Sequence, residues 1–428
     1  MIKHRIIKVL IPVLFLPVST NAADVTYSAG ILLSQYSNVN RVPNPTDTET
    51  SYTLIAGLTA IEDTADFSMY IDGNVRSINY TKGLADDRVT GDVVANLLWK
   101  ISPGQLDWIV DDTFTQTSIN PLQANRPSNL QNVNIFSTGP DYTIRFSATN
   151  NLIFTSRAET FRYESITINR DNNRGTVTAS WSKQMNSRLN LSLNDAVEKV
   201  DYENAAINSF ARNDVFLAVN YTSGIHALDG QYGYTNVKYE NIDSIKYDRY
   251  LLSVSRLMSR NSSVQLSYQD MATDAGRQLV QATPGNMTTN AISNLVSNDI
   301  YVDKTSRLQY LNAAVNTSFN IDIYSRDRKY RQQTILDEES QVALLNGSWS
   351  FGQGDRIIYV ASYISRFYTN SSPKREDEDI LYSLRYTHRL KRNFTVGLSA
   401  IQTERDSTVS NFSYEDLTVI LNLNYNSL

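Results

Sequence analysis

Period-two alternation runs along almost the whole chain, and it leaves few folds open. Val89, Gly91, Val93, Ala95, Leu97, Trp99 and Ile101 share one phase, while Arg88, Thr90, Asp92, Asn96 and Lys100 take the other. Leu189, Leu191 and Leu193 alternate with Arg188, Asn190, Ser192 and Asn194, and Phe394, Val396, Leu398 and Ala400 with Thr395, Gly397 and Ser399. Near the C-terminus Leu417, Val419, Leu421, Leu423 and Tyr425 alternate with Thr418, Asn422 and Asn424. Successive side chains of a strand point to opposite faces, so the chain reads as sheet with one apolar and one polar face. The class is all-β. A soluble sandwich has the same local pattern, so alternation alone does not say what covers the apolar face.

The spacing of turns is more selective. Short connections centre near Thr64, Gly104, Asn150, Asn186, Ser223, Arg260, Asn320, Gln353 and Arg392. Between them lie longer polar connections, Ser37–Thr50, Ile119–Leu130, Asp201–Asn213, Met271–Asp303 and Arg366–Asp379. Short turns at one end and long loops at the other are the asymmetry of outer-membrane barrels. Nine short turns join eighteen strands, and one strand before them (about Val25–Tyr36) and one after (about Asn411–Tyr425) give about twenty, within a range of 18–20. The expected fold is a single closed antiparallel transmembrane β-barrel over residues 23–428. A β-solenoid would show short exact repeats, and none is found.

The segment before the barrel has the pattern of a secretory signal peptide, residues 1–22. Lys3, Arg5 and Lys8 precede the apolar run Val9–Leu16, and Thr20-Asn21-Ala22 supplies small residues before a cut. That run falls well short of the roughly 20 residues a spanning helix needs. Cleavage removes three positive charges and takes the net charge from −5 to −8. Such a balance excludes a basic nucleic-acid binder. The absence of cysteine excludes a disulfide scaffold, thiolate metal sites and a cysteine nucleophile. The expected location is the outer membrane of a Gram-negative bacterium, with outer-membrane lipid as the first partner.

Two sets of residues follow from the barrel. Trp99, Trp108, Trp181 and Trp349 each lie four or five residues from a short turn and in the apolar phase, where an interfacial aromatic girdle belongs. Asp72, Arg76, Arg88, Asp92, Arg145, Arg157, Glu159 and Arg385 take the polar phase and are the lumen-lining candidates. They read either as a ladder of ion pairs that stiffens the wall or as a mixed-charge surface for a passing solute. His226 and His388, both near short turns, fall in the apolar phase with no hydroxyl and orienting group recognisable beside them, which argues against a Ser–His hydrolase. Asp111-Asp112 and Asp86-Asp87 are adjacent and so point to opposite faces, unlike a glycosidase pair. Asp112 falls toward the apolar side, and a β-bulge there is one way to turn it inward. Neither a metal, a cofactor nor a catalytic set is expected. In the long Met271–Asp303 connection, Asn290–Val296 carries Ile292, Leu295 and Val296 at helical spacing; the loop either folds inward to constrict the pore or is disordered or caps it from outside.

One run is more specific than generic barrel: Trp108-Ile109-Val110-Asp111-Asp112-Thr113-Phe114, then Asn120-Pro121, Asn125-Arg126-Pro127, Asn132-Val133 and Phe136-Ser137-Thr138-Gly139-Pro140. It resembles the outer-membrane β-barrel porins encoded beside exosortase (PEP-CTERM) and exopolysaccharide loci. The resemblance implies a channel associated with exopolysaccharide export or passage of polar solutes, with periplasmic exopolysaccharide machinery as a partner; a non-conducting assembly barrel of the same system is the alternative, and a membrane hydrolase a third. It carries over no catalytic residues. The chain departs from the usual terminal aromatic by ending Asn426-Ser427-Leu428. A TonB-dependent receptor needs an N-terminal plug and an autotransporter a passenger, whereas strand pattern starts within a few residues of Ala23, so neither is expected.

Overall fold

The computed structural model describes residues 23–165, 169–240, 243–281 and 299–427. Residues 1–22, read above as a signal peptide, and the Asn290–Val296 segment lie outside the described residues. Twenty antiparallel strands form one sheet in which each strand pairs with its neighbours in sequence. The first, β1 (Asp24–Tyr36), pairs with the last, β20 (Tyr414–Asn426), from Ser28 opposite Asn426 to Tyr36 opposite Thr418. That pairing closes the barrel, so neither the first nor the last strand is left as a free edge.

Alternation in sequence becomes alternation in space. Along β20 the side chains of Leu417, Val419, Leu421 and Leu423 are exposed on the outer surface, while Asp416 and Thr418 are buried on the inner one. The same outward phase holds Leu252, Leu266, Ile323, Leu384 and Leu398 on other strands. The lumen, not a second sheet, lies behind the polar face.

The connections differ from the sequence expectation in detail. The turn placed near Asn320 lies instead at residues 314–316, between β14 (Ile300–Ala313) and β15 (Thr317–Tyr330), closed by the Ala314 N–H on the Thr317 carbonyl at 2.8 Å. Ile321 and Ile323 continue the outward phase past Asn320, which is why it stays in a strand. The expected bulge at Asp111-Asp112 is absent. Strand β5 (Leu106–Ser118) holds continuous register with β4 (Arg88–Ser102) from Trp108 opposite Trp99 to Phe114 opposite Val93, so Asp112 remains on the outer face. What permits this is Asn134 on β6 (Leu130–Ser147), whose amide donates to the Asp112 carboxylate at 2.6 Å. In Met271–Asp303, strand continues to Asp274 and resumes at Ile300, and between them the short helix α1 spans Ala275–Gln281.

Candidate functional site

At the long-loop end, two hairpin tops leave the wall and fold into the lumen. Strand β12 (Ile245–Ser259) pairs with β13 (Ser262–Asp274) only as far as Tyr250 opposite Asp270, yet β13 and β14 stay paired up to Asp274 opposite Ile300. The freed segment packs against the inner faces of β9 (Leu189–Tyr202), β10 (Phe210–Thr222) and β11 (His226–Tyr239). Ala272 and Ile300 there form one buried cluster with Val200, Phe210, Val237 and Tyr239. The second hairpin is β5–β6. Pairing of β4 to β5 ends at Val93, while β5 and β6 continue to Ser118 opposite Leu130. Its top lies over the inner face of β4: Thr115 donates to Asp92 at 3.0 Å, Thr90 to Asn132 at 3.0 Å and Arg88 to the Pro127 carbonyl at 2.9 Å. The Trp108–Pro140 run singled out in the sequence is this hairpin and its loop.

The two hairpins meet at α1. Ala275 and Leu279 pack on Val133 and Ile135 of β6 and on Phe161 of β7 (Asn150–Tyr163) in a fully buried cluster. Charged groups then fix the helix to the wall. Arg174, on β8 (Asn172–Gln184), meets Asp274 at 2.7 Å and Glu198 at 3.4 Å, and all three side chains are at most 2% exposed. Arg277 bridges Glu198 at 3.0 Å and Asp214 at 2.7 Å, and Asp214 also holds Arg212 at 3.0 Å. Burial opposes the Arg277 charge, but Glu198, Asp214 and Asp274 outweigh it and hold its pKa above the ordinary arginine value. On the other side Gln278 donates to Asp303 at 3.0 Å and accepts from Arg328 at 3.3 Å. A Cβ on Gly276 would sit 2.1 Å from Nη2 of Arg174, so a larger residue there would push that guanidinium away from Asp274. Beside the constriction, burial raises the pKa of Asp299, although backbone N–H groups of Gln332 and Gln333 donate to its carboxylate.

The lumen candidates distribute as follows. Asp72 is exposed in the lumen and accepts from Thr59 at 2.6 Å. Arg76 and Asp92 form an ion pair beneath the β5–β6 hairpin, whose loop Arg88 also holds. Arg157 pairs with Asp141 at 2.8 Å. Glu159 stands directly opposite Arg174 and so belongs to the constriction. Arg145 is exposed near the short turn at Gly104, and Arg385 reaches only Ser399, at 3.1 Å, on a distant part of the wall. The set is therefore spread around the lumen rather than gathered at one point.

The residues that build the constriction were missed: Arg174, Glu198, Arg212, Asp214, Asp274, Arg277, Asp303 and Arg328. Extending the polar phase toward the long loops would have found Arg174, Glu198 and Asp214. Arg277 lies within an expected loop and had no phase to follow.

On the outer face, Trp99, Trp108, Trp181 and Trp349 are all exposed near the short-turn end, with Trp99 directly opposite Trp108. His226 is exposed, and His388 contacts Asp355 at 2.8 Å on the same outer face. No group of three or more His, Asp or Glu among the described residues is arranged to hold a metal ion.

No family model matches the chain, and no curated protein matches it. Among solved structures it is similar to the siderophore receptor PirA from Pseudomonas aeruginosa, at 9% identity and a TM-score of 0.47 over 94% of this chain and 80% of that one. It is similar to OccAB4 from Acinetobacter baumannii at 10% identity and a TM-score of 0.44, covering 96% of this chain and 100% of that one. A third is OccK2 (OpdF) from Pseudomonas aeruginosa, solved in complex with glucuronate, at 10% identity and a TM-score of 0.43 over 95% and 98% of the two chains. The strand count and register of this protein rest on its own pairing.

Proposed function

We propose that the chain is a channel in the outer membrane of a Gram-negative bacterium, exported by a cleaved signal peptide, that passes polar solutes through a lumen narrowed at its extracellular end. The observation that carries this reading is the closed twenty-strand barrel with an apolar exterior and a polar interior. Hydrocarbon offers no hydrogen-bond partner, so an apolar-faced sheet has to close before it can sit in a bilayer. Twenty strands enclose more space than side chains alone fill. The two inward hairpins and α1 then reduce the opening. In this orientation the short turns face the periplasm and the long loops face outside.

Exopolysaccharide is the cargo this reading favours, through the resemblance of the β5–β6 run, with periplasmic synthesis machinery as the partner. Paired charges in the lumen suit a hydrated chain held by weak, repeated contacts, since conduction requires binding that also releases. A second reading has its own support. The buried charges around α1 fit a sealed barrel that serves assembly rather than passage. Planar-bilayer recording of the purified protein separates the two: discrete conductance steps support the channel, and folded protein that inserts without steps supports the sealed barrel. Cross-linking to periplasmic polysaccharide enzymes in cells tests the exopolysaccharide link, which is lost if only unrelated proteins are recovered.

A further inference from the structure

We propose that Arg356, Arg385 and Arg389 form a binding site at the short-turn mouth of the lumen for a sugar that carries an oxyanion, carboxylate or phosphate; this rests on the channel reading above and names the class of solute. The wall there is built by β16 (Glu338–Phe351), β17 (Asp355–Tyr368), β18 (Arg375–Lys391) and β19 (Phe394–Ser407). Arg356 stands directly opposite Thr387, so Arg385 and Arg389, two positions to either side on β18, are its diagonal neighbours. Such neighbours on one face lie about 7–8 Å apart, within reach of long side chains. All three side chains are exposed and lie in the inner phase. Arg356 donates to Ser348 at 2.9 Å and Arg385 to Ser399 at 3.1 Å, while the outward phase of the same strands holds Trp349, Tyr386 and Leu398.

The missing counter-charge sets these three apart. Toward the long loops, the inner arginines on this side of the barrel are paired: Arg307 with Asp322, Arg326 and Arg328 with Glu338, Arg366 with Asp379, Arg375 with Asp377, and Arg405 with Asp377 and Asp379. Those pairs stiffen the wall. Among the described residues none is an ion-pair partner of Arg356, Arg385 or Arg389. Their inner-phase neighbours Ser348, Ile358, Ser383, Thr387 and Ser399 carry no charge. Asp355, next to Arg356 in the chain, points outward and is held by Tyr386 and His388. Three like charges gathered without an acid repel one another, and an anion lodged among them removes that cost.

The surroundings select the kind of anion. A guanidinium offers five N–H donors in a planar fork that matches the paired oxygens of a carboxylate or phosphate. Arg356 and Arg385 each spend one of theirs on a serine hydroxyl. Ser348, Thr387 and Ser399 add hydroxyls that both donate and accept, which is what the hydroxyls of a sugar require. Facing the lumen, the site is turned away from the phosphates of membrane lipid. With the short turns in the periplasm, it meets a solute arriving from that side. Its charges are open to water and screened by salt, so the contact is weak enough to release.

Calorimetric titration of the folded protein in detergent tests the site without requiring conduction. Trigalacturonate and glucose 6-phosphate are the acidic probes, and maltotriose is the neutral one. The expected result is saturable binding of an acidic probe that weakens with added salt, and no binding of maltotriose; the acidic probe that binds assigns the oxyanion as carboxylate or phosphate. The triple variant Arg356→Gln, Arg385→Gln, Arg389→Gln should weaken that binding about tenfold or more, the equivalent of one lost charge-assisted contact, and Arg385→Gln alone should weaken it in part. Arg188→Gln, which removes an exposed arginine in the short turn before β9, should leave it unchanged. Heat-modifiable gel mobility, read on the same samples, reports whether each variant is folded. Binding of neither acidic probe, equal binding of maltotriose, folded Gln variants that bind like the wild type, or an equal loss in Arg188→Gln would overturn the site. A wild type that binds the acidic probe yet stays silent in planar bilayers would overturn the channel reading and leave the site standing.

Discussion

Removing the guanidinium of Arg277 tests whether the constriction is held by the charges around it. That side chain bridges Glu198 at 3.0 Å and Asp214 at 2.7 Å, and both carboxylates are 2% exposed. Breaking a buried ion pair costs about 3–5 kcal/mol, because a charge is stranded away from water. In this cluster Glu198 keeps Arg174, Asp214 keeps Arg212, and Arg277 is itself 19% exposed. The cost of Arg277→Ala therefore falls to about 2–3 kcal/mol. At roughly 1.4 kcal/mol per decade, the ratio of unseated to seated helix rises about 30- to 150-fold. None of this touches the strand ladder, so the barrel should fold and migrate on unheated gels like the wild type. Single-channel recording should show larger steps or a larger open fraction than the wild type. A folded variant with the same step size and open fraction would refute the latch. Loss of the folded band would instead make Arg277 part of the wall's own stability.

Other expectations follow from particular contacts. Gly233→Ala would place a Cβ 2.0 Å from the Val215 carbonyl oxygen and 2.5 Å from the Phe216 Cα. Overpacking of this kind costs about 1–3 kcal/mol, read as a lower urea midpoint of the folded band, whereas Gly175→Ala, which meets nothing, should stay within about 0.5 kcal/mol of the wild type. His226→Ala and His388→Ala should leave folding and conductance unchanged, and loss of a measured hydrolytic activity in either would revive the enzyme reading. Tryptophan emission should be quenched more by phospholipids brominated near the glycerol than near the chain end, because all four indoles lie toward the short-turn end of the outer face; the opposite order would place them at mid-membrane.

Much of the fold was legible because barrel strands obey one rule. Residues from Val89 to Ile101 show their phase without any knowledge of partners, and the structure keeps that phase across β4 and its neighbours. The turn near Asn320 was misplaced because Asn and Asp flank the outward Ile321 and imitate a connection, whereas the true turn carries Val315, an apolar residue with no wall to cover. Asp112 looked like a register error, but the residue that accommodates it, Asn134, lies 22 positions away on another strand. The constriction was the least legible part. Ala272 and Ile300 look like ordinary wall residues, and nothing local says that β13 parts from β12 above Asp270. Departure from the wall is decided by long-range packing onto Val200, Phe210 and Val237, for which a strand pattern has no separate signal.

The account stands on a watery inside and a hydrocarbon outside for one continuous ribbon, and β20 offers a direct test. Single cysteines at Val419, Ile420, Leu421, Asn422 and Leu423 would carry spin labels in reconstituted membranes. Collision rates with oxygen, which concentrates in lipid, and with a water-soluble nickel chelate would be measured at each site. The expected result is strict alternation, with oxygen favoured at Val419, Leu421 and Leu423 and nickel at Ile420 and Asn422. Uniform access to nickel, with no period of two along the strand, would contradict it.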